Sequence, residues 1–349
     1  MGMLINGLWS EEDHIYKGGE YIRQHSVYSN DIGAETVAAI VREPGRFHLI
    51  ASWSCPWSHR AMLIRQIKGL AQYIPLHITG GKRLQGYSAN FGNNWQVPGC
   101  EKMIVHLHEL YTLNDPYFTG RSTVPILWDS YKLKVVSNES SKIVRALDAV
   151  KLSKEGNTDM PNFTLYPSCI RADIDALNDL IYSNLSNAVY RADFAKEPLA
   201  YRKAVAQVFG MLDELETRLA ESRYLFGDVI SEADWRLFPT LVRFDLDYNL
   251  NGKCTRRRLV DYPNLWGYAR DLYSWHGVSD TVNFEAIHES NYLDSLIVPD
   301  MPLNDWRKPH KRHEMGVTSI MLLSGEKVTF NKNKGRAKTD YNKCSKMIE

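Results

Sequence analysis

Tyr201, Val205, Val208, Leu212, Leu215 and Leu219 follow one another at spacings of 4, 3, 4, 3 and 4, which draws one apolar stripe down a helix of about five turns. A stripe of that width is a core-facing surface. A second helix is predicted to open at Ser231-Glu232-Ala233-Asp234, where Ser231 and Asp234 suit a reciprocal cap and Ile230 with Trp235 suit the accompanying hydrophobic staple. Upstream the pattern is different. Phe47 to Ala51, Ile74 to Ile78, Val124 to Leu127 and Leu133 to Val136 are short apolar runs bounded by turn residues and read as strands. Helical spacing follows Cys55 (Met62, Leu63, Ile67, Leu70) and Asn138 (Ile143, Val144, Leu147). The order is β-α-β followed by β-β-α, and after about Asn162 helices alone.

The change of character near residue 150, with the polar stretch 154–161 as linker, divides the chain into an N-terminal extension over 1–45, an α/β domain over 46–152, an all-helical domain over 162–299 and a basic, weakly patterned tail over 300–349 with a hairpin expected around Gly325. No period of roughly 20 to 50 residues repeats, so solenoids and propellers are not supported.

With 349 residues, 44% hydrophobic and 24% charged, the composition is that of a globular protein of about two domains, not a disordered or collagenous chain. A net charge of +1 offers no broad field for nucleic acid or an anionic membrane. No apolar run approaches the roughly 18 residues of a membrane span, and acid at Glu11 interrupts any signal-peptide pattern. The five cysteines, Cys55, Cys100, Cys169, Cys254 and Cys344, are odd in number and widely scattered, which points to a reducing, cytoplasmic setting. His106 and His108, and His310 and His313, lack further ligands at metal-binding spacing, so no metal is expected.

Chemistry concentrates first at Ser54-Cys55-Pro56-Trp57-Ser58, between a strand and a helix. Pro56 suits the first helical position, so Cys55 sits at the cap, where the helix dipole and unpaired N–H groups favour thiolate over thiol. A fall from about 8.5 to about 6 would turn a few per cent thiolate at pH 7 into about 90%. Ser58 occupies the position of a resolving cysteine, so an outside thiol must resolve any mixed disulfide. At Thr123-Val124-Pro125, a cis Val-Pro bond would leave the Val124 N–H and C=O free for an extended peptide. At Ser137-Asn138-Glu139-Ser140-Ser141 a helix start places Glu139 for an ammonium and Ser140 for a carboxylate. Thiolate, free backbone edge and amino-acid clamp together describe a glutathione site on a thioredoxin-like domain.

The segments SCPWSHR, GRSTVPILWD, SNESSKIVRAL, YLFGDVISEADWRLFPTLVRFD and DYPNLWGYARDLYSWHGVSDTVNF closely resemble the glutathionyl-hydroquinone reductases, the Xi class of glutathione transferases. The resemblance is dense from Arg46 to Phe284, with echoes at GMLINGLW and IVPDMP. It implies a thioredoxin-like domain followed by an all-helical glutathione-transferase domain, and a homodimer. By family pattern Cys55 is the catalytic cysteine, Val124 pairs with the glutathione backbone, and Glu139 with Ser140 clamps the γ-glutamyl group. Arg121 and Trp95 match further glutathione-holding residues, and Tyr190 and Tyr248 match tyrosines of the aromatic substrate pocket. The departures lie on that substrate side: Asn251-Gly252 where the family writes His-Phe, and Asn291 where it writes tyrosine.

The expected activity is removal of glutathione from glutathionyl-hydroquinones through a Cys55-glutathione disulfide, with glutathione as co-substrate. The alternatives are an omega-like thioltransferase acting on mixed disulfides or dehydroascorbate, and a non-catalytic binding protein that keeps the fold.

Overall fold

The structure, a computed structural model, describes residues 2–11, 15–152, 162–290, 300, 305–330 and 338–343. The polar stretch 154–161, Asn291 and Cys344 lie outside the described residues. The chain forms two compact units, one of Met1–Lys17, Tyr21–Lys151 and Asp280–Met301, the other of Gly18–Glu20, Leu152–Ser279 and Pro302–Glu349.

The chain opens with short strands β1 (Met3–Ile5), β2 (Leu8–Ser10), β3 (Ile15–Lys17) and β4 (Glu20–Ile22) and helix α1 (Ala34–Arg42). Then β5 (Phe47–Ser52), α2 (Pro56–Ile67) and β6 (Leu76–Thr79) make the β-α-β half of the first unit. A ribbon of β7 (Trp95–Gln96) and β8 (Met103–Ile104) and helix α3 (His108–Asn114) lead to the β-β-α half: β9 (Ile126–Asp129), β10 (Lys134–Ser137) and α4 (Ser140–Asp148).

The central sheet runs in the order β10-β9-β5-β6. Parallel pairing of β5 with β6 requires a crossover, which α2 supplies. β9 lies antiparallel to β5, with Ile126 opposite Ile50 and Leu127 opposite Leu49. β5 is a nearly unbroken apolar run because it is central and covered on both faces. Ile50, Ile126 and Trp128 join Leu107, Leu110, Tyr111 and Phe118 in one buried cluster that also contains Cys55 and Val124.

Two strands begin two residues later than the hydrophobic runs predict, at Leu76 and at Ile126. In both places a proline, Pro75 or Pro125, has no N–H to give the ladder. The Pro75 carbonyl still accepts the Leu49 N–H at 2.9 Å, and the Val124–Pro125 bond is cis.

The second unit contains β11 (Phe163–Thr164) and helices α5 (Arg171–Ile181), α6 (Ala188–Asp193), α7 (Pro198–Glu221), α8 (Glu232–Arg243) and α9 (Pro263–Tyr273); the last helix, α10 (Phe284–Glu289), belongs to the first unit. The α7 stripe is buried at Val208, Leu212, Leu215 and Leu219, while Tyr201 and Val205 in its first turns are only half-buried. At the start of α8 the Ser231 N–H and hydroxyl both donate to Asp234 Oδ2, at 2.8 and 2.9 Å. Asp234 Oδ1 takes the Leu225 N–H and the Tyr268 hydroxyl; burial raises its carboxyl while these donors oppose the rise.

Part of the tail is ordered as strands β12 (Thr318–Leu322), β13 (Glu326–Phe330) and β14 (Lys338–Lys343), with Gly325 at positive φ in the β12-β13 turn and β12 paired to β11. Arg312 ties this region down by donating to the carbonyls of Leu219, Ser222 and Arg223. Among the described residues no helix is long and apolar enough to cross a membrane.

Candidate active site

Cys55 is the N-cap of α2, with extended backbone (φ −82°, ψ 118°) and Pro56 following it as the first helical residue. Its carbonyl accepts the His59 N–H, and its sulfur accepts the Ser58 N–H at 3.5 Å. The thiol in turn donates to the Val124 carbonyl at 3.6 Å. The cap therefore presents the sulfur to unpaired backbone donors and the positive end of the helix dipole. The side chain is 8% exposed, so only a group that enters the site reaches it.

Val124 precedes the cis proline, and the residues around it are held by a buried polar web. The Tyr111 hydroxyl donates to the Thr123 carbonyl at 2.7 Å, and Asn138 Nδ2 donates to both the Tyr111 hydroxyl and Thr123 Oγ1 at 3.2 Å. Asn138 is anchored on its other side by the Tyr28 N–H, at 3.0 Å to Oδ1. One residue later Glu139 caps α4: its Oε1 accepts the N–H and the hydroxyl of Ser141 at 3.1 Å. Ser140 is the first residue of that helix and is buried, so its N–H belongs to the first-turn donors without an intrahelical acceptor.

A strap of the N-terminal extension, residues 23–28, reaches both of the charged groups expected to hold the tripeptide. Ser26 Oγ donates to Glu139 Oε2 at 3.0 Å, and Arg121 Nε donates to Gln24 Oε1 at 3.0 Å. The Tyr28 carbonyl takes the Asn138 N–H and the Ser137 hydroxyl. Sequence reasoning missed this strap because Arg23-Gln24-His25-Ser26-Val27-Tyr28 has no periodicity and so carries no signal of its own.

Trp95 sits in β7, packed edge-on against His77 of β6 with ring centroids 5.2 Å apart. His77 shares a 2.9 Å hydrogen bond with His48, and burial lowers both imidazoles, His77 to about 4. Tyr87, in a loop where nothing in the sequence marks it out, packs against the buried cluster that contains Cys55 and Val124. Around Cys55 the first unit also gathers arginines: Arg23 and Arg60 lie 4.7 and 4.6 Å from the Trp57 ring, and Arg83 Nη2 donates to Ser54 Oγ at 3.2 Å.

In the second unit Tyr190 of α6 and Tyr248, in the π-helical turn after α8, stand edge to face with centroids 6.0 Å apart. Tyr248 is buried, and burial with the neighbouring Tyr190 pushes its phenol well up. Asn251 folds back on this turn, its N–H donating to the Asp247 carbonyl at 2.8 Å. A Cβ on Gly252 would lie 2.8 Å from the Tyr248 carbonyl oxygen, which gives Gly252 a physical reason: the backbone passes too close for a larger residue. Asn291 lies outside the described residues.

Residues 54–150 match the glutathione S-transferase N-terminal domain and residues 188–271 the glutathione S-transferase C-terminal domain, the two-part plan of a glutathione transferase. Over 338 residues the chain is 36% identical to "Glutathionyl-hydroquinone reductase YqjG" of Escherichia coli (strain K12), covering 89% of this chain and 98% of that protein. It is 38% identical over 285 residues to "Glutathionyl-hydroquinone reductase PcpF" of Sphingobium chlorophenolicum, covering 81% and 88%. Among solved structures, "Xi Class GST from Natrialba magadii" superposes with a TM-score of 0.74 at 34% identity, covering 90% of this chain and 97% of that one. The chain belongs to the glutathionyl-hydroquinone reductase family, the Xi class of the glutathione transferases.

Proposed function

We propose that this protein is a glutathione-dependent reductase that removes glutathione from glutathionyl-hydroquinones, with Cys55 as nucleophile. The observation that carries the reading is the meeting of the Cys55 sulfur, at a proline-started helix, with the Val124 carbonyl at 3.6 Å. In the same unit Glu139 and Ser140 open a second helix. Val124 offers backbone pairing to the tripeptide, Glu139 its carboxylate to the α-ammonium, Ser140 its N–H and hydroxyl to the α-carboxylate, and Arg121 and Trp95 further hold on the peptide.

The Cys55 thiolate attacks the glutathionyl sulfur, the sulfur–ring carbon bond breaks, and the ring carbon takes up a proton as the free hydroquinone leaves. Two electrons pass to the arene, and the two sulfurs are left as a Cys55-glutathione disulfide. A second glutathione thiolate attacks the glutathione sulfur of that disulfide, releasing glutathione disulfide and the Cys55 thiolate. Tyr190 and Tyr248 would offer ring faces and hydroxyls to the aromatic part of the substrate, and Asn291 and Asn251-Gly252 offer it less than a tyrosine and a His-Phe pair do.

The same reading takes the protein as a cytoplasmic homodimer with glutathione as co-substrate, no resident metal and no nucleic-acid or membrane partner. The second reading, an omega-like thioltransferase, is favoured by one observation: a relative 36% identical over 285 residues is named "Glutathione S-transferase omega-like 2" in Schizosaccharomyces pombe. Turnover of glutathionyl-menadiol beside that of a small glutathione mixed disulfide separates them. Preference for the hydroquinone adduct supports the first, and activity confined to the mixed disulfide overturns it.

A further inference from the structure

The glutathione site as read above has two holding points beside different strands: the Val124 backbone edge, just before β9, and the Glu139-Ser140 clamp, just after β10. Regular pairing does not fix their separation. The β9-β10 ladder ends at the pair Leu127–Ser137, with an irregularity in register between Val135 and Ser137, so both holding points lie beyond its last rung. A tripeptide engages the two without a penalty for ordering them only if something else sets the distance between them.

A buried side-chain web takes the place of the missing rungs. The Tyr111 hydroxyl donates to the Thr123 carbonyl at 2.7 Å and accepts the Thr123 N–H at 3.2 Å, so the residue before Val124 is held by both of its backbone groups. Asn138 Nδ2 donates to the Tyr111 hydroxyl and to Thr123 Oγ1, both at 3.2 Å. Asn138 is itself the residue before Glu139. Tyr28 fixes it from the far side, its N–H donating to Asn138 Oδ1 at 3.0 Å and its carbonyl accepting the Asn138 N–H at 3.1 Å. The Tyr111 hydroxyl thus makes one donation and two acceptances, and both Nδ2 hydrogens of Asn138 are used. With Tyr111 0% and Asn138 4% exposed, the web is shielded from water, where a closed network is stiff. We propose that Tyr111 and Asn138 are positioning residues that act as one unit, holding the Val124 edge at a set separation from the Glu139-Ser140 clamp so that one tripeptide engages both.

Neither side chain needs to touch the ligand. Tyr111 is buried in the same cluster as Val124 and Ile126, and the Asn138 amide is spent on protein partners. Their effect reaches glutathione only through the backbone at Thr123-Val124 and at Asn138-Glu139. Tyr111→Phe deletes the hydroxyl that joins the two segments and leaves the ring in the core, while Thr123→Val deletes a single acceptor and keeps the shape of the side chain. A reagent that carries no tripeptide uses neither holding point.

This role rests on Val124, Glu139 and Ser140 as the glutathione-holding residues, and the test compares reagents with and without the tripeptide. Glutathione affinity is read by calorimetry in a Cys55→Ala background. With Cys55 present, its reactions with glutathione disulfide and with bis(2-hydroxyethyl) disulfide are timed by mass spectrometry; in each the Cys55 thiolate attacks one sulfur, the S–S bond breaks and a thiolate leaves. Tyr111→Phe should raise the glutathione dissociation constant and slow glutathione disulfide by about three- to tenfold, the worth of about one neutral hydrogen bond, while the hydroxyethyl disulfide rate stays within about twofold. Combined with Glu139→Gln, its effect should shrink, because a ligand freed from one holding point re-seats on the other. A smaller change in glutathione affinity, an equal slowing of both disulfides, or effects that simply multiply with Glu139→Gln overturn the proposal. Should Tyr111→Phe fail to fold, Thr123→Val carries the test: a loss of at least about twofold confined to glutathione and its disulfide is expected, and less overturns it. Glutathione affinity weakened in the variants of a protein that does not turn over glutathionyl-hydroquinones supports the web and overturns the functional reading instead.

Discussion

Replacing Glu139 by glutamine separates the helix cap that this carboxylate supplies from the ammonium clamp proposed for it. Glu139 Oε1 accepts the Ser141 N–H at the start of α4, and Oε2 accepts the Ser26 hydroxyl. Glutamine keeps an oxygen that can cap the helix, so the stability loss of about 1 kcal/mol expected for removing a cap is largely avoided. What disappears is the negative charge offered to the ammonium of glutathione. A charge-assisted hydrogen bond is worth about 1.5–3 kcal/mol, so the dissociation constant should rise about 10- to 150-fold. Ser26→Ala leaves the charge but removes a neutral donor that fixes its direction, and should cost about two- to tenfold. Combined with Glu139→Gln, the Ser26 effect should shrink, because the group that Ser26 orients no longer carries the charge. Calorimetric titration with glutathione in a Cys55→Ala background, where no disulfide forms, reads all four affinities. A Glu139→Gln affinity within twofold of the parent, with melting temperature unchanged, would show that Glu139 is only a helix cap and refute the clamp.

Cys55→Ala should abolish turnover, and mass spectrometry of the parent protein after treatment with glutathione disulfide should find a single glutathione adduct, on Cys55; an adduct only elsewhere removes it as nucleophile. Gly252→Ala forces the Tyr248 backbone to move from a 2.8 Å approach and should destabilise the protein by about 1–3 kcal/mol, read as a lowered urea midpoint; an unchanged midpoint means the turn yields easily. Burial holds His77 near 4 against its ordinary 6.5, so between those values the unfolded chain binds more protons than the folded one and stability falls by about 2–3 kcal/mol as pH drops. In His77→Gln the urea midpoint should vary less across that window, and an equally steep dependence would place its origin elsewhere.

The parts of the fold that were legible are those governed by rules spanning a few residues. Cys55-Pro56 announces a helix start because a cap followed by a proline is a local geometric preference, and the α7 stripe announces burial because 3.6-residue periodicity is local too. The Ser231-Asp234 cap is a three-residue relation and appears with both donors on Asp234 Oδ2. What could not be read is set by partners far away in the chain. Tyr28 meets Asn138 across 110 positions, and nothing in the sequence around Tyr28 says so. Phe163-Thr164 pairs with the hairpin that turns at Gly325; the hairpin has a local glycine signal, its docking partner none.

The strap changes how the glutathione half of the site is understood to work. Glu139 and Arg121 already have partners in Ser26 and Gln24, and Asn138, which steadies the segment leading to Val124, already holds the Tyr28 N–H. Ordering a long side chain at a binding site costs about 0.5–1.5 kcal/mol each, and here the N-terminal extension has met that cost before the ligand arrives. The extension, set outside the α/β domain by the sequence pattern, therefore supports the proposed clamp: a change at Ser26 or Gln24 touches no sulfur and no ring, yet reaches Glu139 and Arg121, the two charged groups proposed to hold the tripeptide. Variants in the strap should accordingly weaken glutathione and glutathionyl substrates by the same factor, while the intrinsic alkylation rate of Cys55 stays where the helix start has put it.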